Sequence, residues 1–111
     1  MVGNLDFLLG EAMLDDCGMR ALPDPCVLRA FDQRVLLTHG DALCLDDTDY
    51  MEFRRQVRSA DWQRAFLAKP LPERQEIARA LRRQSEARKQ AGAQYADVDA
   101  EAARQWLGTA N

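Results

Sequence analysis

The stretch Arg34 to Asp47, RVLLTHGDALCLDD, constrains this chain more than any other. Val35-Leu36-Leu37-Thr38 predicts a short buried strand, and it runs straight into His39-Gly40-Asp41 with no polar lead-in. That order puts an imidazole at a strand's C-terminal edge, which is where ligand sites form in α/β folds. Gly40 lets the backbone bend tightly beside whatever His39 faces, and Asp46 and Asp47 follow within one more loop. A lone imidazole in a carboxylate-rich loop suits divalent-metal binding or general acid–base chemistry. The same spacing also fits a core or capping histidine, so the residues alone leave both readings open.

The flanking pattern predicts an α/β chain with a short β-hairpin core piece and a helical cap. Gly3-Asn4-Leu5-Asp6 comes before any element that could anchor it and is expected to fray. Phe7 to Cys17 reads as a short helix with Gly18 at its C′ position, and Leu22-Pro23-Asp24-Pro25 as a turn. Cys26 to Phe31 is a candidate strand, joined through Asp32-Gln33 to the strand at Arg34 as a hairpin. Asp49 and Glu52 have the spacing of a capping box opening a helix to about Arg58, with Tyr50, Phe53 and Val57 as its apolar stripe. Ser59 or Asp61 starts a second helix with Trp62 and Phe66 four apart, ending near Lys69-Pro70. Pro72 suits the first turn of a third, running to about Gly92, with Ile77 and Leu81 in its apolar share. Ala100 to Leu107 forms a last helix with Ala103 and Leu107 turned inward. The expected divisions are 1–48 for the core piece, 49–92 for the helical cap and 93–111 for a return to the core.

Composition excludes several classes of function. A chain of 111 residues with 47% hydrophobic content holds one small domain. No apolar run approaches the roughly 20 residues that span a bilayer, and the start MVGNLDFLLG lacks the basic region of a secretory signal, so a cytoplasmic chain is expected. Cys17, Cys26 and Cys44 are odd in number and lack a CxxC spacing, against both a disulfide framework and a thiolate zinc site. The charge is unevenly placed. Residues 1–50 carry ten acidic and three basic side chains, a net −7, whereas residues 51–92 carry eleven basic and five acidic, a net +6. That division suits a metal side and an anion side, and equally two solvated faces of opposite sign. Nucleic acid is not an expected partner, because the basic stretch has no aromatic interleaving and is diluted by Glu73, Glu76 and Glu86.

Gly3-Asn4-Leu5-Asp6 together with His39-Gly40-Asp41 resembles the third and fourth motifs of the calcineurin-like metallophosphoesterases, commonly GN(H/R)D and GHGD. The longer runs NLDFLLG, VLLTHGDALCLDDTDYMEFRRQVRSADWQ and FLAKPLPERQEIARALRRQSEARK are similar to the UDP-2,3-diacylglucosamine diphosphatase family of lipid A biosynthesis, in its central part only. The resemblance implies a partial calcineurin-like metallophosphoesterase fold and a hydrolase that cleaves the pyrophosphate of UDP-2,3-diacylglucosamine to UMP and 2,3-diacylglucosamine 1-phosphate, with two Mn²⁺ ions activating water. It implies that Asn4 and His39 are metal ligands and catalytic, Asn4 also lying near the phosphoryl group. It further implies that Asp47, Ser85 and Lys89 contact a UDP-activated diacylated sugar. Ser85 and Lys89 are one helical turn apart and can face one ligand. Peripheral association with the inner membrane of a Gram-negative bacterium is implied in the same way.

Two departures follow from the same comparison. Leu5 stands where the family has an arginine fork for phosphate, and Gly92 stands near a position where the family places a further polar contact. The Asp-x-His, Gly-Asp and Gly-His-x-His motifs that complete the ligand set are not in this sequence, so the chain alone is expected to be inactive. The alternative reading is a catalytically incomplete fragment acting as a helical structural or interaction module, with self-association through an exposed core edge. A third is a small anion-binding helical protein using Arg79, Arg82, Arg83 and Lys89.

Overall fold

A computed structural model describes residues 1–110 of the chain. It has mixed α/β structure and divides into two compact units, one comprising Met1–Arg54 with Ala96–Asn111 and the other Arg55–Tyr95.

The first unit contains an antiparallel pair, β1 (Cys26–Ala30) and β2 (Gln33–Leu37), with Leu28 opposite Val35 and Ala30 opposite Gln33. Phe31 and Asp32 form the two-residue loop, with φ of +53° and +60°, the sign that a type I′ turn requires at both central positions to match strand twist. The hairpin expectation therefore holds, but its link is Phe31-Asp32 and not Asp32-Gln33. Gln33 already belongs to the ladder. The expectation of a buried strand over Val35–Thr38 is corrected in part: Val35 is exposed while Leu36, Leu37 and Thr38 are half-buried, and on the other strand Val27 and Leu28 are exposed, with Phe31 at the tip 97% exposed. A two-stranded ribbon gives each side chain one neighbour across the ladder and no further strand to cover it.

Helix α1 (Glu11–Asp16) is shorter than the expected span from Phe7. Gly10 sits extended at its N-terminal boundary, and Gly18, at φ +64°, closes the other end by donating its N–H to Asp15 O at 3.0 Å. Helix α2 (Thr48–Val57) starts from Asp47, whose Oδ1 accepts the Tyr50 N–H at 3.1 Å. The cap is thus Asp47, and Asp49 lies inside the first turn, where its charge complements the helix dipole. The Phe53 ring of α2 meets Phe7 edge-on, with centroids 6.4 Å apart and an interplanar angle of 87°.

That contact holds the N-terminal segment that was expected to fray. The last helix, α5 (Ala100–Thr109), is capped by Asp99, whose Oδ1 accepts the Ala102 N–H at 2.7 Å. Its start is tied to the core by the Asp99 N–H donating to Leu43 O at 2.8 Å, and its end by the Arg34 guanidinium donating to the Ala110 carbonyl. Ala102, Ala103 and Trp106 are the half-buried side chains, while Leu107, expected inward, is exposed. At 3.6 residues per turn those three span an arc of about 100°, and Leu107 lies roughly 40° beyond its edge.

In the second unit Ser59 caps α3 (Ala60–Leu67) by accepting the Trp62 N–H at 3.3 Å while donating to Gln56 O at 2.8 Å. Trp62 and Phe66 stack at 5.0 Å, and Val57 and Phe66, 2% and 6% exposed, are its buried apolar side chains. Helix α4 (Leu71–Gln90) has a proline in its first turn, as expected from Pro72, and carries ion pairs from Lys69 to Glu73 at 2.6 Å and from Arg83 to Glu76 at 2.9 Å. It ends at Gln90, with Ala91 as its cap and Gly92, φ +73°, just beyond. Among the described residues no helix is long and apolar enough to cross a membrane.

Candidate functional site

Where β2 ends, Asp24 takes over from the ladder. Its Oδ1 accepts the Thr38 hydroxyl at 2.6 Å and the His39 N–H at 3.3 Å, and the Gly40 N–H donates to Thr38 Oγ1 at 3.0 Å. Gly40 then turns the chain at φ +86°, a left-handed conformation that a side chain disfavours, into a single 3₁₀ turn, Asp41–Leu43. The backbone at His39 is therefore held by Asp24 and Thr38, polar anchors that the sequence reading, which saw no polar lead-in, did not foresee.

His39 Nδ1 lies 3.3 Å from Asp41 Oδ1. The Asp41 side chain is 7% exposed and that of His39 35%. The second oxygen, Oδ2, accepts the Tyr50 hydroxyl at 2.7 Å and Arg54 Nε at 3.0 Å. A buried carboxylate needs such donors, because its charge has lost water. On the far side of the ring sits the Gly3 turn, closed by the Gly3 N–H donating to Asp6 Oδ1. Gly3 is buried, and a Cβ built there would fall on the imidazole, 2.6 Å from Cδ2 and nearer still to Nε2. Only glycine allows that approach, so Gly3-Asn4 and His39 form one locus, with Asn4 exposed immediately beyond it.

Cys44 lies close by. Burial, then the neighbouring Asp41, Asp97 and Asp47 charges, push its thiol above the usual value of 9.0, so it remains protonated and its Sγ donates weakly to Gly40 O at 3.9 Å. A protonated thiol is neither a good nucleophile nor a metal ligand.

Of the residues singled out in the sequence, His39 is met by Gly3, the residue that precedes exposed Asn4. Asp47 lies at the head of α2 with one oxygen engaged in capping. Ser85 and Lys89 are exposed on α4, four residues apart, in the second unit. Tyr50 and Arg54 were missed as site residues. The signal was present: they are four apart on α2, and a capped helix one short loop after His-Gly-Asp can send two donors back to that aspartate.

Among the described residues no group of three or more His, Cys, Asp and Glu side chains is placed to hold a metal ion. His39 and Asn4 are two candidate donors, short of the roughly six that octahedral manganese takes. This donor set does not by itself fit a manganese pair.

An imidazole beside a buried carboxylate at a strand exit is an arrangement suited to metal binding or acid–base chemistry, and the relatives found by comparison with known proteins are named as hydrolases. No family model matches the chain. It is 54% identical over 90 residues, 81% of its length, to the UDP-2,3-diacylglucosamine hydrolase of Chromobacterium violaceum. It is 50% identical over 88 residues to the protein of that name from Aromatoleum aromaticum, and 47% over 89 residues to that from Bordetella pertussis. This chain is related by sequence to UDP-2,3-diacylglucosamine hydrolases, which are enzymes, and it spans 38%, 36% and 34% of the length of those three relatives.

Proposed function

We propose that this chain is a segment of a metal-dependent hydrolase of lipid A biosynthesis, with a calcineurin-like metallophosphoesterase fold, that cleaves the pyrophosphate of UDP-2,3-diacylglucosamine to UMP and 2,3-diacylglucosamine 1-phosphate. The observation that carries the reading is the Gly3-Asn4 turn seated on an imidazole whose other nitrogen faces a buried carboxylate. A histidine held in this way offers Nε2 as a ligand with its orientation already fixed, which lowers the entropic cost of binding. Names at about half identity over four-fifths of the chain supply the substrate class.

In this reading His39 and Asn4 would each give one donor to a Mn²⁺ pair completed by donors outside these residues, and that pair would supply Lewis acidity when bound. The remaining donors come from outside this segment. Ser85 and Lys89, exposed on one side of α4, offer a hydroxyl and an ammonium to the nucleotide or diphosphate, and Asp47, at the head of α2, is a further substrate contact in this reading. Association with the inner membrane face is peripheral, the bilayer being the source of the diacylated substrate.

A second reading has its own support. With two donors and no three-donor group among the described residues, the chain acts alone only as a structural or interaction module, self-associating through its exposed hairpin. Titration calorimetry with Mn²⁺ separates the two. Micromolar binding to the chain, raised thermal stability and loss of both in His39→Ala favour a usable site, and hydrolysis of UDP-2,3-diacylglucosamine is then assayed directly. Binding that ignores His39 rejects the metal-ligand assignment.

A further inference from the structure

Charge is divided between the two units more sharply than between the two halves of the sequence. The unit of Met1–Arg54 with Ala96–Asn111 carries fourteen acidic and five basic side chains, a net −9, and the unit Arg55–Tyr95 carries ten basic and four acidic, a net +6. An anionic surface repels the first and attracts the second. Within the basic unit the element most open to such a surface is α4, which runs for 20 residues with no fully buried side chain.

The half-buried residues of α4, Arg74, Ile77, Leu81 and Arg88, fall in one stripe. At about 100° per residue, Leu71, Gln75, Ala78 and Arg82 form a second, exposed stripe about 60° wide. Glu73 and Glu76, the acidic residues of this half of the helix, lie on the side opposite that second stripe, where they pair with Lys69, Arg79 and Arg83. Arg82 has no ion-pair partner among the described residues. Arg79 meets Glu76 only at 3.7 Å on the open surface, a pair weak enough to yield to a phosphate. A depression lined by Gln75, Ala78, Arg79 and Arg82 gives the two guanidiniums a recess for such a group.

This stripe begins at an apolar corner. Leu67, the last residue of α3, is 47% exposed and Leu71, the first of α4, 57%, with exposed Pro70 between them. Arg82 follows Leu71 by eleven residues, about 16 Å along the helix axis. Apolar insertion and cation–phosphate contact thus lie on one line, the combination that holds a helix at a bilayer interface. A nucleic acid would use the cations but leave the two leucines in water.

We infer that the α3–α4 corner and the exposed N-terminal stripe of α4 are the surface by which this protein docks on an anionic phospholipid bilayer. Leu67 and Leu71 enter the acyl boundary, and Arg82 with Arg79 takes headgroup phosphates. The inference rests on the peripheral association proposed above and supplies the surface that performs it. Ser85 and Lys89, assigned to the substrate, occupy the other end of the same helix.

Co-sedimentation of the 111-residue chain with sucrose-loaded vesicles tests it. Vesicles of two parts phosphatidylcholine to one part phosphatidylglycerol are compared with phosphatidylcholine alone. The expected result is binding to the mixed vesicles, weakened as salt is raised, and little binding to the neutral ones. Arg82→Gln is expected to lower the partition constant about fivefold, the share of one surface cation. Leu67→Gln combined with Leu71→Gln is expected to lower it at least about tenfold through lost insertion. All three positions are exposed, and circular dichroism checks that both variants keep their helices. Equal binding to the two vesicle types overturns the inference. Binding to mixed vesicles that both variants leave unchanged also overturns it, while leaving peripheral association in place; no binding to either vesicle type rejects both. A single-stranded oligonucleotide that binds and is not displaced by the mixed vesicles overturns it in favour of nucleic acid. The hydrolase reading is judged separately, by the Mn²⁺ titration and its dependence on His39.

Discussion

Arg54→Met is the sharpest test of the packing behind the candidate site. It removes the guanidinium and keeps most of the apolar stem, so the loss is electrostatic rather than a cavity. The Asp41 side chain is 7% exposed and that of Arg54 21%, with Nε 3.0 Å from Oδ2. Stranding one partner of a fully buried pair costs about 3–5 kcal/mol. Here water reaches one-fifth of the arginine, and the Tyr50 hydroxyl remains 2.7 Å from the same oxygen, which reduces the expected cost to about 2 kcal/mol. In a chain of this size that lowers Tm by about 8 °C. Urea denaturation followed by the fluorescence of Trp62 and Trp106 reads the loss. If it comes from an uncompensated charge, adding D41N to R54M recovers about 1 kcal/mol, because the stranded carboxylate becomes neutral. A cycle in which the two changes add to within about 0.5 kcal/mol refutes the ion-pair argument and leaves Arg54 a packing residue.

Four further outcomes are expected. Gly3→Ala puts a methyl into the His39 ring; one of the two must shift, at a cost of about 1–3 kcal/mol, and the nuclear Overhauser contacts between residue 3 and the imidazole are expected to weaken. Alkylation by iodoacetamide at about pH 8, mapped by mass spectrometry, labels exposed Cys17 well before Cys44, whose thiol is held above the ordinary range. Since the folded chain keeps the Cys44 proton to higher pH than the unfolded chain does, stability falls as pH rises past the ordinary thiol value, and C44A flattens that slope. On exposed α4 the Arg83 hydrogen bond lowers the Glu76 pKa, so the small stabilisation it gives is present above the unfolded carboxylate value and disappears as pH falls through the folded one. Glu76→Gln removes that acid dependence in helicity measured by circular dichroism.

Capping chemistry and apolar period made the helices legible. Ser59 caps α3, Pro72 lies in the first turn of α4, and Tyr50, Phe53 and Val57 face inward from α2 because each signal is local in sequence. The hairpin link was misplaced by one residue because Phe31 is an unusual choice for a positive-φ position, and only the observed register, Ala30 opposite Gln33, decides it. Burial of Val35 was misjudged because an apolar run reports preference, not whether another layer exists to cover it. At the site, the Gly-Asn and His-Gly-Asp motifs stand out in the sequence, whereas the packing of Gly3 on His39 is a contact between residues 36 apart in the chain. No local pattern encodes such a distance.

The way this site is held also governs how it should fail. Among the described residues only Leu43, Val57 and Phe66 are buried hydrophobic side chains, while fourteen large apolar side chains are exposed. Packing of that extent cannot fix side chains to fractions of an ångström. The positions around His39 are instead held by carboxylates acting as tethers: Asp6 on the Gly3 turn, Asp24 on Thr38 and the His39 backbone, and Asp41 between the ring and α2. Each tether contributes about 1 kcal/mol to stability, yet each fixes a direction that no apolar contact duplicates. Loss of Asp24 or Asp41 should therefore disturb the orientation of the imidazole before it unfolds the chain, whereas loss of Phe66 should cost stability without changing how His39 is held.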